Sequence, residues 1–168
     1  ITPSEIMSNH IEKSYQPYKK ELSQVIGKTN MDLYRRGTFN GSFDQLICES
    51  MVNVLGSDIS LSPGFRWGPS VLANDDITMN DIYNQTAITY PNTYRREFTG
   101  ETIKNILEDV ADNIFNPDPY MQQGGDMVRT TGLSYTITPQ NKIGQRISNL
   151  RDKNGKHIES HKKYMFSG

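Results

Sequence analysis

The apolar pattern of residues 101–115 constrains the fold of this chain more than any other stretch. Its apolar residues recur at the three- and four-residue spacing of a helix: Ile103, Ile106, Leu107, Val110, Ala111 and Ile114. Thr99 is a suitable N-cap, and the sequence "NPDP" ends the helix because proline cannot continue one. The single apolar stripe predicts a helix that packs against a second layer of structure.

Other segments predict a mixture of helices and short strands. Helices are predicted over 3–26 with a bend or break at Pro17, over 42–55 with a Ser42–Gln45 capping box and a stop at Gly56, and over 78–84 with a Thr78 cap and Asp81 three residues later. Extended segments are predicted in "SDISLS", "AITYPNTYRREFT", "LSYTIT", "RISNLR", "KHIE" and "KKYMFSG". The sequence "KNGK" predicts a two-residue hairpin turn, and "MQQGGDMVRTTG" predicts a loop. Short strands without long apolar runs favour an α+β fold over a doubly wound one.

Composition excludes several classes of function. The 168 residues suit one domain, or one domain with an appendage, and the net charge of −1 lacks the basic excess typical of nucleic-acid binders. No apolar run approaches the roughly 18 residues of a membrane span. The single cysteine, Cys48, excludes an internal disulfide and is expected to be a buried thiol, with a nucleophile as the alternative.

The two ends of the sequence predict a piece of a longer protein. The chain begins at Ile1 without an initiator methionine and stops at Gly168 within a strand-like segment. We therefore expect further chemistry on residues outside these 168.

Most candidate catalytic groups have an ordinary structural interpretation. His157 and His161 are four residues apart but lie in strand-like sequence near a turn, so surface positions are expected rather than a shared metal site. Glu108, Asp109 and Asp112 have the spacing of a solvated helix face. No nucleophile elbow, Walker loop or dinucleotide-binding glycine pattern is present in the sequence.

The first of two unusual loops is "SPGFRWG", Ser62 to Gly68. It places Arg66 between Phe65 and the only tryptophan, Trp67. An arginine held between aromatic groups keeps its fork fixed, which suits bidentate binding of an oxoanion. The alternative is a surface cation–π contact.

The second unusual loop is "YMQQGGDMVR", Tyr120 to Arg129. Its glutamines, aspartate and arginine surround a Gly-Gly pair and offer both hydrogen-bond donors and acceptors. An ordinary surface loop is the alternative.

Longer motifs resemble a known family. The segments "LYRRGTFNGSFDQLI", "SPGFRWG", "YPNTYRREFTGETIKNILEDVADNIFNPDPYMQQGGDMVR" and "GLSYTI" are similar to the C-terminal domain of the 5′-nucleotidase superfamily. The "GGDMVR" loop resembles its sulfur-oxidising branch, the SoxB thiosulfohydrolases. The resemblance implies an α+β domain with a mixed sheet and packed helices at 31–168, truncated at its C-terminal end, and a linking helix at 1–30.

The resemblance also implies a function for the intact protein. Its relatives carry two manganese ions on an N-terminal metallophosphoesterase domain, and they work in the bacterial periplasm. They release sulfate from a cysteine-bound thiosulfonate on the SoxYZ carrier during thiosulfate oxidation. No metal, nucleic acid or membrane contact is expected for the present chain, which is expected to be inactive alone.

Individual roles follow from matched motif positions. Arg66 matches the family's anion-binding arginine, and Trp67, Tyr90 and Asn92 are expected to line the substrate site beside it. A carrier channel is expected to be shaped by five residues of the second loop: Gln123, Gly124, Gly125, Asp126 and Arg129. Two alternatives remain open, a substrate domain of a nucleotide hydrolase and a non-catalytic module that docks a partner chain.

Overall fold

The computed structural model describes residues 2–64, 68–87 and 92–168. The helices are α1 (Glu5–Tyr15), α2 (Lys19–Leu22), α3 (Ser42–Leu55), α4 (Met79–Thr86) and α5 (Gly100–Phe115). The strands are β1 (Val25–Lys28), β2 (Ile59–Ser62), β3 (Asp76–Thr78), β4 (Arg95–Thr99), β5 (Arg129–Thr131), β6 (Leu133–Ile137), β7 (Ile147–Asp152) and β8 (Lys163–Ser167). A 3₁₀ turn covers Pro119–Met121. The predicted α+β class is confirmed.

A four-stranded mixed sheet forms the centre, in the order β4-β8-β2-β5. Strand β8 is antiparallel to β4 and parallel to β2, while β2 is antiparallel to β5. Two separate antiparallel pairs, β1-β3 and β6-β7, complete the described strands. The mixed sheet agrees with the fold class predicted from the sequence.

Helix α5 packs on this sheet through its apolar stripe. Ile103, Leu107 and Ala111 are fully buried in one core cluster with Ile59 and Phe166 of the sheet. The Thr99 side chain accepts a hydrogen bond from the Thr102 backbone N–H, as predicted for a cap.

Helix α3 covers the predicted span but begins differently from the prediction. The N-cap is Gly41, which makes no side-chain capping bond, so the predicted capping box is wrong. Ser42 instead accepts a hydrogen bond from the Tyr34 N–H and donates one to the Asp32 carbonyl, because the preceding segment folds back against the helix start. The predicted stop is confirmed, since Gly56 has φ +62° in the left-handed region.

A second core cluster lies beside α3. Leu33, Phe43 and Val71 form its buried part, and Ile47 and Ile82 pack against it. Helix α4 starts as predicted, with the reciprocal capping box of Thr78 and Asp81. This cluster and the sheet place α3 and α4 around the site described below.

Several local predictions are wrong. The predicted break at Pro17 is confirmed, since α1 ends at Tyr15 and α2 begins at Lys19, but the end of the predicted span belongs to β1, which pairs with β3. The predicted loop after Tyr120 ends in β5, which pairs with β2. In these cases a partner distant in sequence determines the local structure.

The C-terminal hairpin also differs from the prediction. The "KHIE" segment forms a single bridge, Arg151 with His157, instead of a strand. The Asp152 N–H donates to the Lys156 carbonyl, and of the Asn-Gly pair Gly155 alone has positive φ, at +77°. The loop therefore has three residues, because the turn closes one residue later than a two-residue turn does.

The prediction of a solvated carboxylate face on α5 is wrong for Glu108, which is buried. Its carboxylate accepts hydrogen bonds from the backbone N–H groups of Gly144, Arg146 and Ile147. Asp109 is exposed as predicted. Within the described ranges, no helix combines the length and apolar character needed to cross a membrane.

Candidate substrate site

The described flanks of the two sequence segments predicted to bind substrate line one cavity. Arg66, Trp67 and Tyr90 lie outside the described residues, so the structure gives no position for these predicted groups. Their described neighbours Pro63 and Asn92 both line a cavity of about 810 Å³. The structure therefore brings the flanks of the two predicted segments together, and Asn92 is exposed at this place.

The cavity is mostly apolar. Its walls come from α3, α4 and the central sheet, and they include Ile47, Met51, Leu61, Ile82 and Phe166. The polar residues that line it include Arg35, Ser62, Gln85 and Asn92. An apolar pocket with few polar groups is a common form of ligand site.

A buried ion cluster lies beside this cavity. Asp44 on α3 is fully buried between two buried arginines, Arg35 and Arg129. Arg35 Nε donates to Asp44 Oδ1 at 2.7 Å, and Arg129 Nε donates to Asp44 Oδ2 at 3.1 Å. Burial raises the pKa of the Asp44 carboxyl, while the two guanidiniums oppose this change.

The same arginines bind the start of the "SPGFRWG" loop. Arg35 Nη2 donates to the Pro63 carbonyl at 3.2 Å, and Arg129 Nη2 donates to the Gly64 carbonyl at 3.1 Å. Gly64 is buried, and a Cβ atom there would collide with the Met127 carbonyl. The site thus requires glycine at this position because two backbones approach closely.

Gln85, near the end of α4, holds the other flank of that loop. Its side chain is 1% exposed, and its Nε2 donates to the Pro69 carbonyl. Arg35 Nη1 donates to the Gln85 carbonyl at 2.5 Å. The Gln85 Oε1 atom has no hydrogen-bond partner in the described part of the chain.

The second predicted loop contacts the first. A Cβ on Gly64 would also lie 3.0 Å from Asp126 Cβ, so the two loops touch at this point. Gln123, Gly124 and Gly125 are exposed and Asp126 is half-buried. Arg129 is 1% exposed, so its side chain holds other backbone segments and presents no free donor at a surface.

Other candidate groups have no arrangement that suggests chemistry. Across the described ranges, no group of three His, Cys, Asp or Glu side chains is arranged to hold a metal ion. The three histidines are exposed. Cys48 is buried as expected, and burial raises its pKa to about 11, which opposes the thiolate form that a nucleophile needs.

Sequence reasoning missed Arg35, Asp44 and Gln85 as parts of the site. One signal was present, because Asp44 is on the apolar face of α3, three and four residues before Ile47 and Cys48. A carboxylate on a buried face needs cationic or N–H partners. The identity of those partners depended on the tertiary fold.

Comparison with solved structures gives closely similar folds. Thermus thermophilus sulfate thiohydrolase SoxB, solved in complex with glycerol, superposes with a TM-score of 0.94 and 30% identity, over 99% of this chain and 31% of that one. A 5′-nucleotidase precursor, also from Thermus thermophilus, gives a TM-score of 0.74 at 19% identity, over 99% of this chain and 33% of that one. Haemophilus influenzae NAD nucleotidase gives a TM-score of 0.69 at 17% identity, over 98% of this chain and 31% of that one.

The chain therefore spans about a third of the length of these proteins. A comparison with curated proteins found no match. The family model for the 5′-nucleotidase C-terminal domain matches residues 23–166, which is most of the sequence. The chain belongs to the 5′-nucleotidase C-terminal domain family.

Proposed function

We propose that this chain is the substrate-binding part of a SoxB-like thiosulfohydrolase. In this proposal, the intact protein hydrolyses a cysteine-bound thiosulfonate on the SoxYZ carrier and releases sulfate in the bacterial periplasm. The observation that carries the proposal is the closer similarity to the SoxB structure, with a TM-score of 0.94 and 30% identity, than to the nucleotidase precursor, at 0.74 and 19%.

The proposal assigns metal binding to a different domain. The described residues offer no suitable ligand cluster, so they do not fit a dimanganese site. We therefore propose that residues 1–30 connect this domain to an N-terminal metallophosphoesterase domain that holds two manganese ions and supplies the hydrolytic chemistry. The present chain binds and orients the substrate.

Arg66 is the central group of the proposed site. Its guanidinium fork matches two oxygens of a sulfonate or sulfate group, and it keeps its charge at any pH relevant to a protein. A fixed cation at this position stabilises negative charge that develops on the departing group. The proposal also assigns Trp67, Tyr90 and Asn92 to this site, and of these the structure describes Asn92, which is exposed at the cavity.

The second loop provides the approach for the carrier tail in this proposal. Gln123, Gly124 and Gly125 are exposed and contain the small residues that let another backbone approach closely. Asp126 contacts Gly64, so the approach and the "SPGFRWG" loop are adjacent. The buried Arg129 side chain contributes indirectly, because it donates hydrogen bonds to the Gly37 and Gly64 carbonyls.

The test measures sulfate release from thiosulfonate-loaded SoxYZ by the intact protein. Arg66→Ala is expected to lower kcat/KM by about 10²–10³, the usual cost of removing one fixed transition-state contact. Arg66→Lys retains the charge without the guanidinium fork, so its kcat/KM should lie between those of Arg66→Ala and the unmutated protein. Arg151→Ala, which removes an arginine at the Gly155 turn, is the matched control and should retain activity. Full activity of Arg66→Ala would instead favour a docking module.

A second candidate is the substrate domain of a nucleotide hydrolase. The fold is shared with the nucleotidase precursor and the NAD nucleotidase, which supports this candidate at the level of architecture. In that case, Tyr90 would stack on a nucleoside base.

A further inference from the structure

We propose that the Asn40–Gly41 pair at the start of α3 is a site of spontaneous covalent modification, at which Asn40 is converted to aspartate and isoaspartate. The fold holds the two reacting groups of this pair together. It does not do so for the second Asn-Gly pair of the chain, Asn154–Gly155. The proposal concerns the chemistry of the domain itself and does not depend on the function proposed above.

The reaction joins a backbone nitrogen to the carboxamide of the asparagine before it. The Gly41 nitrogen loses its proton to hydroxide and forms a bond to Asn40 Cγ. The Cγ–Nδ2 bond breaks, and Nδ2 takes a proton from water and leaves as ammonia, which returns the hydroxide. Water then opens the cyclic imide, so the net reaction consumes water and releases ammonia. Attack of this water at Cγ gives aspartate, whereas attack at the backbone carbonyl carbon gives isoaspartate.

The structure places the reacting groups of Asn40 and Gly41 together. The Gly41 backbone N–H donates to Asn40 Oδ1 at 3.0 Å, so the attacking nitrogen lies beside the carbonyl group that it attacks. Reacting atoms about 3–3.5 Å apart are typical of a geometry poised for reaction. Asn40 Nδ2 donates to Gln45 Oε1 at 3.4 Å, which orients the carboxamide from its other end. Asn40 is exposed, so water reaches the carboxamide and ammonia leaves freely.

Packing requires a glycine after Asn40. Gly41 is buried, and a Cβ atom there would collide with the Tyr34 carbonyl and lie 2.8 Å from Asp44 Oδ2. A side chain at this position would crowd the nitrogen and slow its attack, but the close approach of the two backbones excludes one. The start of α3 therefore keeps an unhindered nucleophile next to an asparagine.

The second Asn-Gly pair supplies an internal control. Asn154 and Gly155 are exposed at the turn after β7. The Gly155 N–H donates to the Asp152 carbonyl at 2.9 Å, so it is directed to that carbonyl and not to the Asn154 side chain. The two pairs contain the same residue types and therefore share the reactivity of an Asn-Gly sequence when the chain is unfolded. A difference between them in the folded chain reports the geometry.

Modification should disturb the buried ion cluster around Asp44. Isoaspartate adds an atom to the backbone directly before Gly41 and so displaces this glycine. Gly41 has little free space, because its added Cβ would meet the Asp44 carboxylate and would lie 3.0 Å from Arg35 Cα. Aspartate changes only the charge of an exposed side chain. The two products have the same mass but are expected to differ in stability.

The experiment follows both asparagines in the 168-residue chain. The chain is incubated at mildly alkaline pH, either folded or unfolded in guanidinium chloride, as checked by circular dichroism. It is then digested, and peptide fragmentation by mass spectrometry locates the products. In the folded chain, Asn40 should react about tenfold faster than Asn154 or more, because a 1 Å displacement between reacting groups can cost up to about 10²-fold in rate. In guanidinium chloride, the two rates should be similar.

Ser42→Ala tests whether the held geometry is the cause of the faster reaction. The Ser42 hydroxyl bonds two backbone groups of the preceding segment and so fixes the start of α3. Loss of these bonds should lower the rate at Asn40 towards the rate at Asn154. Ser50→Ala removes only a hydrogen bond within the same helix, so it is the matched control and should leave both rates unchanged.

Three outcomes would overturn the proposal. The first is a rate at Asn40 that does not exceed the rate at Asn154 in the folded chain. The second is a difference between the two rates that persists in guanidinium chloride, because the sequence and not the fold would then explain it. The third is a faster reaction at Asn40 in Ser42→Ala, because backbone flexibility would then control the reaction.

A second measurement concerns the products. The Asn40→Asp variant should unfold at the same guanidinium chloride concentration as the unmutated chain. The isoaspartyl fraction of the aged chain, separated by chromatography and identified with an isoaspartyl methyltransferase, should unfold at a lower concentration. Equal midpoints for the two products would reject the predicted disturbance at Gly41, while the reaction rates would still decide whether Asn40 is the modified site.

Discussion

Glu108 Oε1 accepts a hydrogen bond from the Ile147 backbone N–H at 2.8 Å, which connects the middle of α5 to the first residue of β7. The other carboxylate oxygen accepts from Gly144 and Arg146 at 2.9 and 3.2 Å. Three backbone donors that lead into β7 are therefore satisfied by one side chain on a helix. A buried N–H group without such a partner destabilises the folded state.

Glu108→Gln should destabilise the chain. The amide presents an NH₂ group where a carboxylate oxygen now accepts, so at least one buried donor loses its partner. We expect a loss of about 1–3 kcal/mol in the free energy of unfolding, measured by urea denaturation. The neighbouring Asp109→Asn, at an exposed position, should change it by less than about 0.5 kcal/mol. Equal values for the two variants would contradict the structural role of Glu108.

Cys48 should make the chain less stable at alkaline pH. Burial raises the thiol pKa from 9.0 to about 11, so the folded chain retains a proton that the unfolded chain loses between these values. Stability is therefore unaffected below about pH 9 and falls as pH rises towards 11, by about 2–3 kcal/mol in total.

The measurement compares the unmutated chain with Cys48→Ala by denaturant unfolding at pH 7.5 and 10.5. At pH 7.5 the unmutated chain should have the higher free energy of unfolding, because the cysteine fills the core better than alanine. This difference in free energy should be smaller at pH 10.5. A constant difference between the two proteins would show that the thiol does not titrate as stated. A thiol reagent at pH 8 should react only after the chain is unfolded.

Gly132 should tolerate no side chain. Gly132 lies in the turn between β5 and β6 with a φ of +87°. A Cβ atom there would collide with the backbone carbonyl of Asp58, the residue before β2. Gly132→Ala is therefore expected to cost about 3 kcal/mol or more. Gly155→Ala is the matched control, since its φ is +77° but no atom lies within 4 Å of the added Cβ. It should cost about 1–2 kcal/mol from the backbone alone.

The emission of Trp67 should separate the two proposed substrate classes. It is the only tryptophan of the chain, and a base stacked near it should quench its fluorescence. We expect AMP and adenosine to cause no saturable quenching. Ribose 5-phosphate, which lacks the base, controls for anion binding, and Tyr90→Ala controls for stacking. Saturable quenching by adenosine that Tyr90→Ala abolishes would favour the nucleotide hydrolase.

The chain alone should not hydrolyse substrate when manganese is added. The described residues hold no group of three ligands, and the resemblance implies that the metals lie on another domain. Sulfate release from thiosulfonate-loaded SoxYZ is the assay, and the intact protein with manganese is the positive control. Measurable turnover by the 168-residue chain would contradict this division of roles.

The elements that could be predicted from the sequence are those whose residues form a recognisable pattern within the element itself. The apolar stripe of α5, the Thr78–Asp81 capping box and the stop at Gly56 are local patterns, and each is present in the structure. The described flanks of the two segments predicted to bind substrate line one cavity, and the roles of Arg66, Trp67 and Tyr90 stay predictions.

The remaining features depend on distant partners. Strand β1 continues a helical pattern in sequence, and only pairing with β3, about 50 residues later, makes it a strand. Glu108 has the spacing of a surface residue, and the turn before β7 buries it. The partners of Asp44 are nine and 85 residues away, so no periodicity connects them.

The position of β8 in the central sheet has a consequence for how the chain folds during synthesis. Residues 163–167 lie between β4 and β2, which occur much earlier in the sequence. Helices such as α5 form from local contacts as they leave the ribosome, but β4 and β2 each lack their shared partner until β8 has been synthesised. Folding is therefore expected to be slow, and the four strands of the central sheet can join only after β8 has been translated.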